Sequence, residues 1–426
     1  MSLALSDEEA DLVNIGRTVM PAGGFGNIAV ETVIRRGLAG RVWDVSGNEY
    51  VDYLIGSGPM FVGHAHPEVT EAVMEQVREG STFFANNEHG LKLAEEIVAA
   101  VPCAEQVRYC CTGSEADAYA MRLARAYRRR DKILKFEGGY HGMSDYGLMS
   151  IWPTGAANSD HASADSAGIP ACVSDHVLVC PYNDLAAAQR IIHAHHDEIG
   201  GVIVEPMQRL ITPLPGFLQG LRDITSEYGI PLIFDEVVTG FRLSYSGGQG
   251  YYGVTPDICT LGKIIGGGYP LSAIAGRADI MAHFDRERVG DAGFTPQIGT
   301  LSGNPVAAAA GLATLNILKR PGAYEQVFTT GRALWTGLRT ALDEAGIDAL
   351  VIGLPVMFDA VFTKAAEVHD YRGTINVDRA MSRRFNAALR RNGVFKSDNK
   401  LYVSLAHDAR DIADTIAAFG VAARGV

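Results

Sequence analysis

The chain has 426 residues, 47% of them apolar and 20% charged, with a formal net charge of −12. That length allows two domains and a sizeable core, and the composition is that of a globular protein. The acidic balance excludes general binding to nucleic acid or anionic membranes, because both require a basic face.

In chain order, the first segment, "MSLALSDEEADLV", is acidic and lacks a long apolar core, so it is not expected to be a signal peptide or a transit sequence. No apolar run reaches the ~18 residues of a membrane span, and a cytoplasmic location is expected. Residues 31–55 contain "GRVWDVSGNEYVDYL", two apolar-rich runs around a Ser-Gly-Asn turn, which predicts a hairpin. From about residue 68 the rhythm changes. Helical patterns, "EVTEAVMEQVREG" and "GLKLAEEIVAAV", alternate with short apolar runs. The predicted strands are "QVRYCC" (106–111), "KILKF" (132–136), "HVLVC" (176–180), "GVIVE" (201–205), "PLIFD" (231–235), "DICTL" (257–261) and "SAIAG" (272–276). Several are continuously apolar, as strands covered on both faces are. The alternation predicts an α/β fold with a mostly parallel seven-stranded sheet in a large domain. The stretch 152–170, "WPTGAANSDHASADSAGIP", is a long aperiodic loop of the kind that serves as a functional lid. After Gly311 come long helices and then a mixed segment, 351–426, read as a small α+β domain. The expected division is 1–55 as an N-terminal segment joining the small domain, 56–315 as the large domain, and 316–426 as the C-terminal small domain.

In doubly wound sheets, ligands bind beyond the carboxyl ends of the strands. "CTGSEA" (111–116) lies there and opens a helix, so Gly113 and Ser114 would offer free amides to a phosphate. Taken alone this is also an ordinary helix start. Glu205 and Asp235 end apolar strands, where a carboxylate needs a partner. Asp235 would hold a metal or a protonated ring nitrogen. "GHAHP" (63–67) and "HAHHDE" (193–198) read as a turn and an exposed helix side, and no closed ligand set for a metal is expected. The six cysteines form no C-x-x-C pair; Cys110 and Cys111 are expected to be buried free thiols. Lys263, in "TLGKIIGGG", follows a strand and sits among small residues. A P-loop is excluded, since Asp257 and Ile264 stand where that motif needs Gly and Ser or Thr. A phosphate cradle, an aspartate for a ring nitrogen, a lysine for an aldehyde and Tyr140 of "GGYHG" to stack on a ring together fit one cofactor, pyridoxal 5′-phosphate (PLP).

"FDEVVTGFR", "GGQGYYGVTPDICTLGKIIGGGYPLSAIAGR" and "GTLSGNPVAAAAG" closely resemble the class III aminotransferases of PLP fold type I, and among them the glutamate-1-semialdehyde 2,1-aminomutases. "DKILKFEGGYHG", "GPMFVGHAHPEV", "CPYNDL" and "SLAH" extend the resemblance over nearly the whole chain. The resemblance implies that Lys263 forms the Schiff base and shuttles the proton. It also implies that Asp235 pairs with the pyridine nitrogen, and that Val237 and Tyr140 cover the two ring faces. Gly113 and Ser114 would bind the phosphate. Thr300 would reach the phosphate of the neighbouring subunit of a homodimer. Departures from the aminomutase pattern bear on substrate. "PAGGFGNIAVETV" has no arginine where that family carries one for the substrate carboxylate. Asn399 and Lys400 replace a glutamate before "SLAH", and Gln208 of "EPMQRL" is expected to take over a contact to the ring hydroxyl. Val238 stands where other class III aminotransferases often place a glutamine. Arg209 and Lys400 are the candidates for a substitute carboxylate receptor, although each also reads as an ordinary solvated residue.

These features favour an aminotransferase that moves an amino group from an amine or amino-acid-like donor to an oxo-acid acceptor by a ping-pong route. The alternative is aminomutase-like intramolecular transfer; a racemase is the third enzyme reading. A non-catalytic protein of the same fold is disfavoured by the retention of Lys263, Asp235, Tyr140 and Thr300.

Overall fold

The computed structural model describes residues 4–27, 32–153, 160 and 162–426. The chain divides into two compact units, one of Met1–Pro67, Gly322–Ala366 and Val377–Val426, the other of Glu68–Pro321 and Glu367–Asn376.

The larger unit holds a seven-stranded sheet. Its order is Gln106–Cys110, Ser272–Gly276, Ile258–Leu261, Leu232–Glu236, Ile199–Val204, Lys132–Phe136 and Val177–Cys180. Ser272–Gly276 runs antiparallel to both of its neighbours; the other pairs are parallel. The runs IGGVIV, LIFDE, ICTL and SAIAG are buried at every residue, because helices cover both faces. Gln106–Cys110 instead alternates exposed and less exposed residues, as an edge strand does. Observed strand ends differ from the expected ones by no more than two residues.

Helix Gly113–Arg128 begins with Thr112 as its N-cap and a capping box with Glu115, which satisfies the Thr112 and Glu115 amides. Its Ala116, Ala120, Met121 and Ala124 pack into one core with Ile203, Ile233, Ile258 and Ile274 of the sheet. The approach is close: a Cβ on Gly201 would lie 2.9 Å from the Ala124 Cβ, so a side chain there would push the helix away. The helices expected near 68–80 and 90–101 are Pro67–Glu79 and Glu88–Ala100.

The smaller unit contains a four-stranded sheet ordered Ile34–Leu38, Arg41–Asp44, Glu49–Asp52 and Val394–Phe395, and a three-stranded sheet of Ala349–Leu354, Met357–Phe362 and Leu401–Tyr402. The expected hairpin is present, with Val42 opposite Tyr50. It carries an extra strand, Ile34–Leu38, whose "IRRGL" has no apolar alternation to announce it. Of the loop 152–170, residues 154–159 and 161 lie outside the described residues. The remainder is tied down: Ala162 is buried, and Asp165 Oδ2 accepts from the Ile151 and Trp152 amides. The buried-thiol expectation holds for Cys110 but not for Cys111, which is only half-buried at the sheet edge; all six cysteines are free.

Candidate active site

Each strand of the larger unit ends in a turn, and these turns gather most of the expected residues. Asp235 lies at the end of Leu232–Glu236 and is 6% exposed. Its Oδ2 is 2.8 Å from His141 Nδ1, and its Oδ1 accepts from the Val237 amide at 3.1 Å. A carboxylate accepts only, so His141 Nδ1 carries the hydrogen in this pair. Thr260 Oγ1 lies 3.5 Å from Asp235 Oδ1.

Val237 joins two neighbouring turns. A Cβ on Gly113 would lie 2.9 Å from Val237 Cγ1, and one on Gly262 would lie 3.2 Å from the same methyl. Glycine is therefore required at Gly113, and the helix start comes up against Val237 and the turn that carries Lys263. Lys263 itself adopts φ +50°, the left-handed region, directly after the strand Ile258–Leu261. A non-glycine residue held there stores roughly 1–3 kcal/mol of strain, a cost found where a side chain must be aimed.

The turn 137–142 closes another side. Tyr140 is held through its amide, which donates to Glu205 Oε1 at 3.3 Å, while the Arg209 amide donates to Glu205 Oε2 at 2.7 Å. Glu205 thus ends its strand without needing a cation. Gly142 abuts Ser114, with a virtual Cβ 2.5 Å from the Ser114 Cα, and the Met143 amide donates to Ser114 Oγ at 3.2 Å. Burial raises the Tyr140 phenol above its ordinary range, the Arg209 charge opposing. The Arg209 guanidinium lies over the Tyr140 ring, 4.9 Å from its centroid, and the residue is half-buried in a turn. It is a loop residue, as expected, with part of its side chain against the tyrosine.

Gln208 is 1% exposed and donates through Nε2 to the Glu137 carbonyl at 2.7 Å. Its Oε1 and the Nε2 of His141 are buried without a hydrogen-bond partner. Both face Gly139, where a virtual Cβ would lie 3.6 Å and 3.1 Å from them. Buried polar atoms without partners are uncommon and call for one. Thr300 is the member not gathered in. It is exposed in the loop before Pro305–Leu318, and no hydrogen bond links it to the others among the described residues. His141 stands next to Tyr140 in "GGYHG", but nothing in the sequence places its imidazole against Asp235, 94 residues away. Among the described residues no group of three or more His, Cys, Asp and Glu is arranged to hold a metal, and no helix is long and apolar enough to cross a membrane.

A mostly parallel sheet with a lysine and an aspartate at adjacent strand ends, and a capped helix start beside them, defines the PLP-dependent transferase architecture. The chain matches the family Aminotransferase class-III over residues 25–405, and it belongs to that family. A glutamate-1-semialdehyde 2,1-aminomutase of Natranaerobius thermophilus is 38% identical over 93% of this chain and 92% of its own length. An omega-transaminase from Sphaerobacter thermophilus is 34% identical, with a TM-score of 0.93 over 98% of this chain and 97% of that one. A β-phenylalanine aminotransferase from Variovorax paradoxus is 30% identical, with a TM-score of 0.86 over 97% and 93% of the two chains. The protein is an enzyme of the PLP-dependent class III type, with transaminases and aminomutases as its neighbours.

Proposed function

We propose that this enzyme is an intermolecular aminotransferase, passing an amino group from an amine or amino-acid-like donor to an oxo-acid acceptor by a ping-pong mechanism. The observation that carries the site assignment is Asp235: a buried carboxylate at a strand end, supported by an imidazole N–H and a backbone amide. A protonated pyridine nitrogen is a cation that such a carboxylate would hold. The unpaired Gln208 Oε1 fits a ring hydroxyl as its donor, and Gly113 and Ser114 open a helix, whose first amides suit a phosphate. When bound, PLP supplies an aldehyde carbon to hold the amino group and a ring that draws electrons from the carbon being deprotonated.

This chain's residues do the rest. Lys263 Nζ would hold the cofactor aldehyde and, once freed by a donor amine, would serve as the base that takes up and gives back the donor proton. Asp235 would keep the ring nitrogen protonated, and Val237 and Tyr140 would cover the ring. Arg209, stacked on Tyr140, is engaged there and is not assigned to a substrate carboxylate. With no arginine in residues 21–33, the pocket suits an amine or an amino compound whose carboxylate is distant. We further propose a cytoplasmic homodimer in which Thr300 serves the neighbouring subunit's phosphate.

The 38% identity to an aminomutase supports intramolecular transfer as the second reading. A half-reaction on the yellow holoenzyme, with a panel of amines and no oxo-acid, separates the two. Bleaching with stoichiometric release of a carbonyl product is expected. An isomerised amino product with the yellow colour restored would establish the aminomutase instead. Lys263→Ala should fold and lose turnover; full activity in that variant would end the proposal.

A further inference from the structure

A second acid stands behind Asp235. Asp117 lies on the buried face of helix Gly113–Arg128 and is 2% exposed. Its Oδ1 is 2.6 Å from Thr260 Oγ1, and the same hydroxyl is 3.5 Å from Asp235 Oδ1. A threonine hydroxyl has one hydrogen to give and two lone pairs. If both acids were ionised, that one hydrogen would go to the nearer, Asp117, and Asp235 would lose a donor. Two anions would also face each other through one side chain in a water-poor core, which is unfavourable unless one takes up a proton.

The charged and titratable groups facing Asp117 come from every strand end around it. They are Asp235, Lys263 and Glu205, with Tyr140 and Cys110 further off and His141 on the far side of Asp235. Burial is the largest influence on Asp117 and Asp235 the next, both raising its pKa well above the ordinary carboxyl range. The Thr260 hydrogen bond and the Lys263 ammonium pull the other way by less, and Glu205 adds a further upward push.

We propose that Asp117 is a proton-bearing carboxylic acid that donates to the Thr260 hydroxyl and so turns the Thr260 hydrogen toward Asp235. Asp117 is then a positioning residue. It gives the Asp235 carboxylate a further donor, beside His141 and Val237, without adding a charge that would compete for the ring nitrogen. The proposal rests on the PLP-binding role of Asp235 proposed above. The proton comes from solvent, and nothing is oxidised or reduced.

The test uses the infrared spectrum of the holoenzyme, PLP affinity and the pH profile of turnover. The wild-type spectrum at neutral pH should contain a buried protonated-carboxyl stretch that disappears in Asp117→Asn and shifts in Thr260→Ser. Asp117→Ala should weaken PLP binding about tenfold through the lost hydrogen bond, and Asp117→Asn, whose amide still donates, should restore it to within about threefold. As pH rises, wild-type Asp117 ionises and draws the Thr260 hydrogen away, so affinity falls on an alkaline limb that Asp117→Asn lacks. A wild-type spectrum without that band, or an Asp117→Asn enzyme as impaired as Asp117→Ala, overturns the proposal. Should the Asp117 variants not fold, Thr260→Val decides. Its band must shift and its PLP affinity fall; an unchanged spectrum sinks the idea. The carboxyl stretch is also read on cofactor-free protein. Failure to bind PLP at all would therefore reject the cofactor roles while leaving the protonation of Asp117 separately measured.

Discussion

At the scale of single residues, Lys135 has a consequence for stability. It lies in strand Lys132–Phe136 at 1% exposure, with Nζ donating to the carbonyls of Gly147, at 2.9 Å, and Met149. Burial lowers its pKa to about 7, the charges of Asp165 and Glu205 opposing. The unfolded chain keeps this lysine protonated to far higher pH, so between pH 7 and 9 the unfolded state binds more protons than the folded one and stability rises with pH. The contribution over that window is about 2 kcal/mol at most. Urea denaturation at several pH values should show this slope in the wild type and lose it in Lys135→Met, whatever the absolute stability of the variant. Single residues were also where the sequence was least informative. Asp117 stands between alanines, two residues after Glu115, in an amphipathic helix, where a carboxylate is expected to point to water. Nothing local reveals that the sheet beneath it offers Thr260. Lys263 and Asp235 were legible because each follows an unbroken apolar run, which fixes it at a strand end.

At the scale of elements, the segment Glu367–Asn376 groups with the larger unit, although the chain on both sides of it belongs to the smaller one. It is fastened at three points. Arg372 grips Glu137 through two bonds, Nε–Oε2 at 2.7 Å and Nη2–Oε1 at 2.8 Å. Asn183 Nδ2 donates to the His369 carbonyl at 2.7 Å. Tyr371 lies against Gly138, whose φ of +77° and a virtual Cβ contact of 2.5 Å exclude a side chain. The segment therefore braces the turn that presents Tyr140 and His141. Arg372→Ala leaves the buried Glu137 carboxylate uncompensated and should cost about 1–3 kcal/mol, less than a fully buried pair because the arginine is partly exposed. Adding Glu137→Gln should recover part of that loss in a double-mutant cycle read by urea unfolding. No periodicity marks this segment, which is why the sequence reading missed it. The strands were legible for the opposite reason: helices on both faces make each of them a bounded apolar run.

At the scale of the whole molecule, the proposed homodimer gives a role to some of the exposed apolar side chains. Phe83, Phe84, Leu91, Ile298 and Leu301 are 50%, 69%, 60%, 78% and 50% exposed, and Thr300 lies between the last two. The proposed homodimer would cover such residues and bring Thr300 to the neighbouring site. Sedimentation at micromolar concentration should therefore give a dimer. Thr300→Ala should weaken PLP binding about tenfold, the worth of one hydrogen bond to a charged phosphate, without dissociating the dimer. A monomer with full PLP affinity would reject the shared site.

The position of strand Gln106–Cys110 has a further consequence, for synthesis on the ribosome. That strand pairs with Ser272–Gly276, and the Ser272 hydroxyl fastens the Thr112 carbonyl across 160 residues of sequence. The turn proposed to bind the phosphate is thus made early and completed late. At ~5–20 residues per second the nascent chain waits roughly 8–30 s with that strand unpaired. Adding PLP in that interval would find no assembled cradle, so cofactor supply should raise the yield of finished enzyme only by trapping chains already released. A pulse-labelled chain halted before residue 272 should bind no PLP, whereas the released chain should.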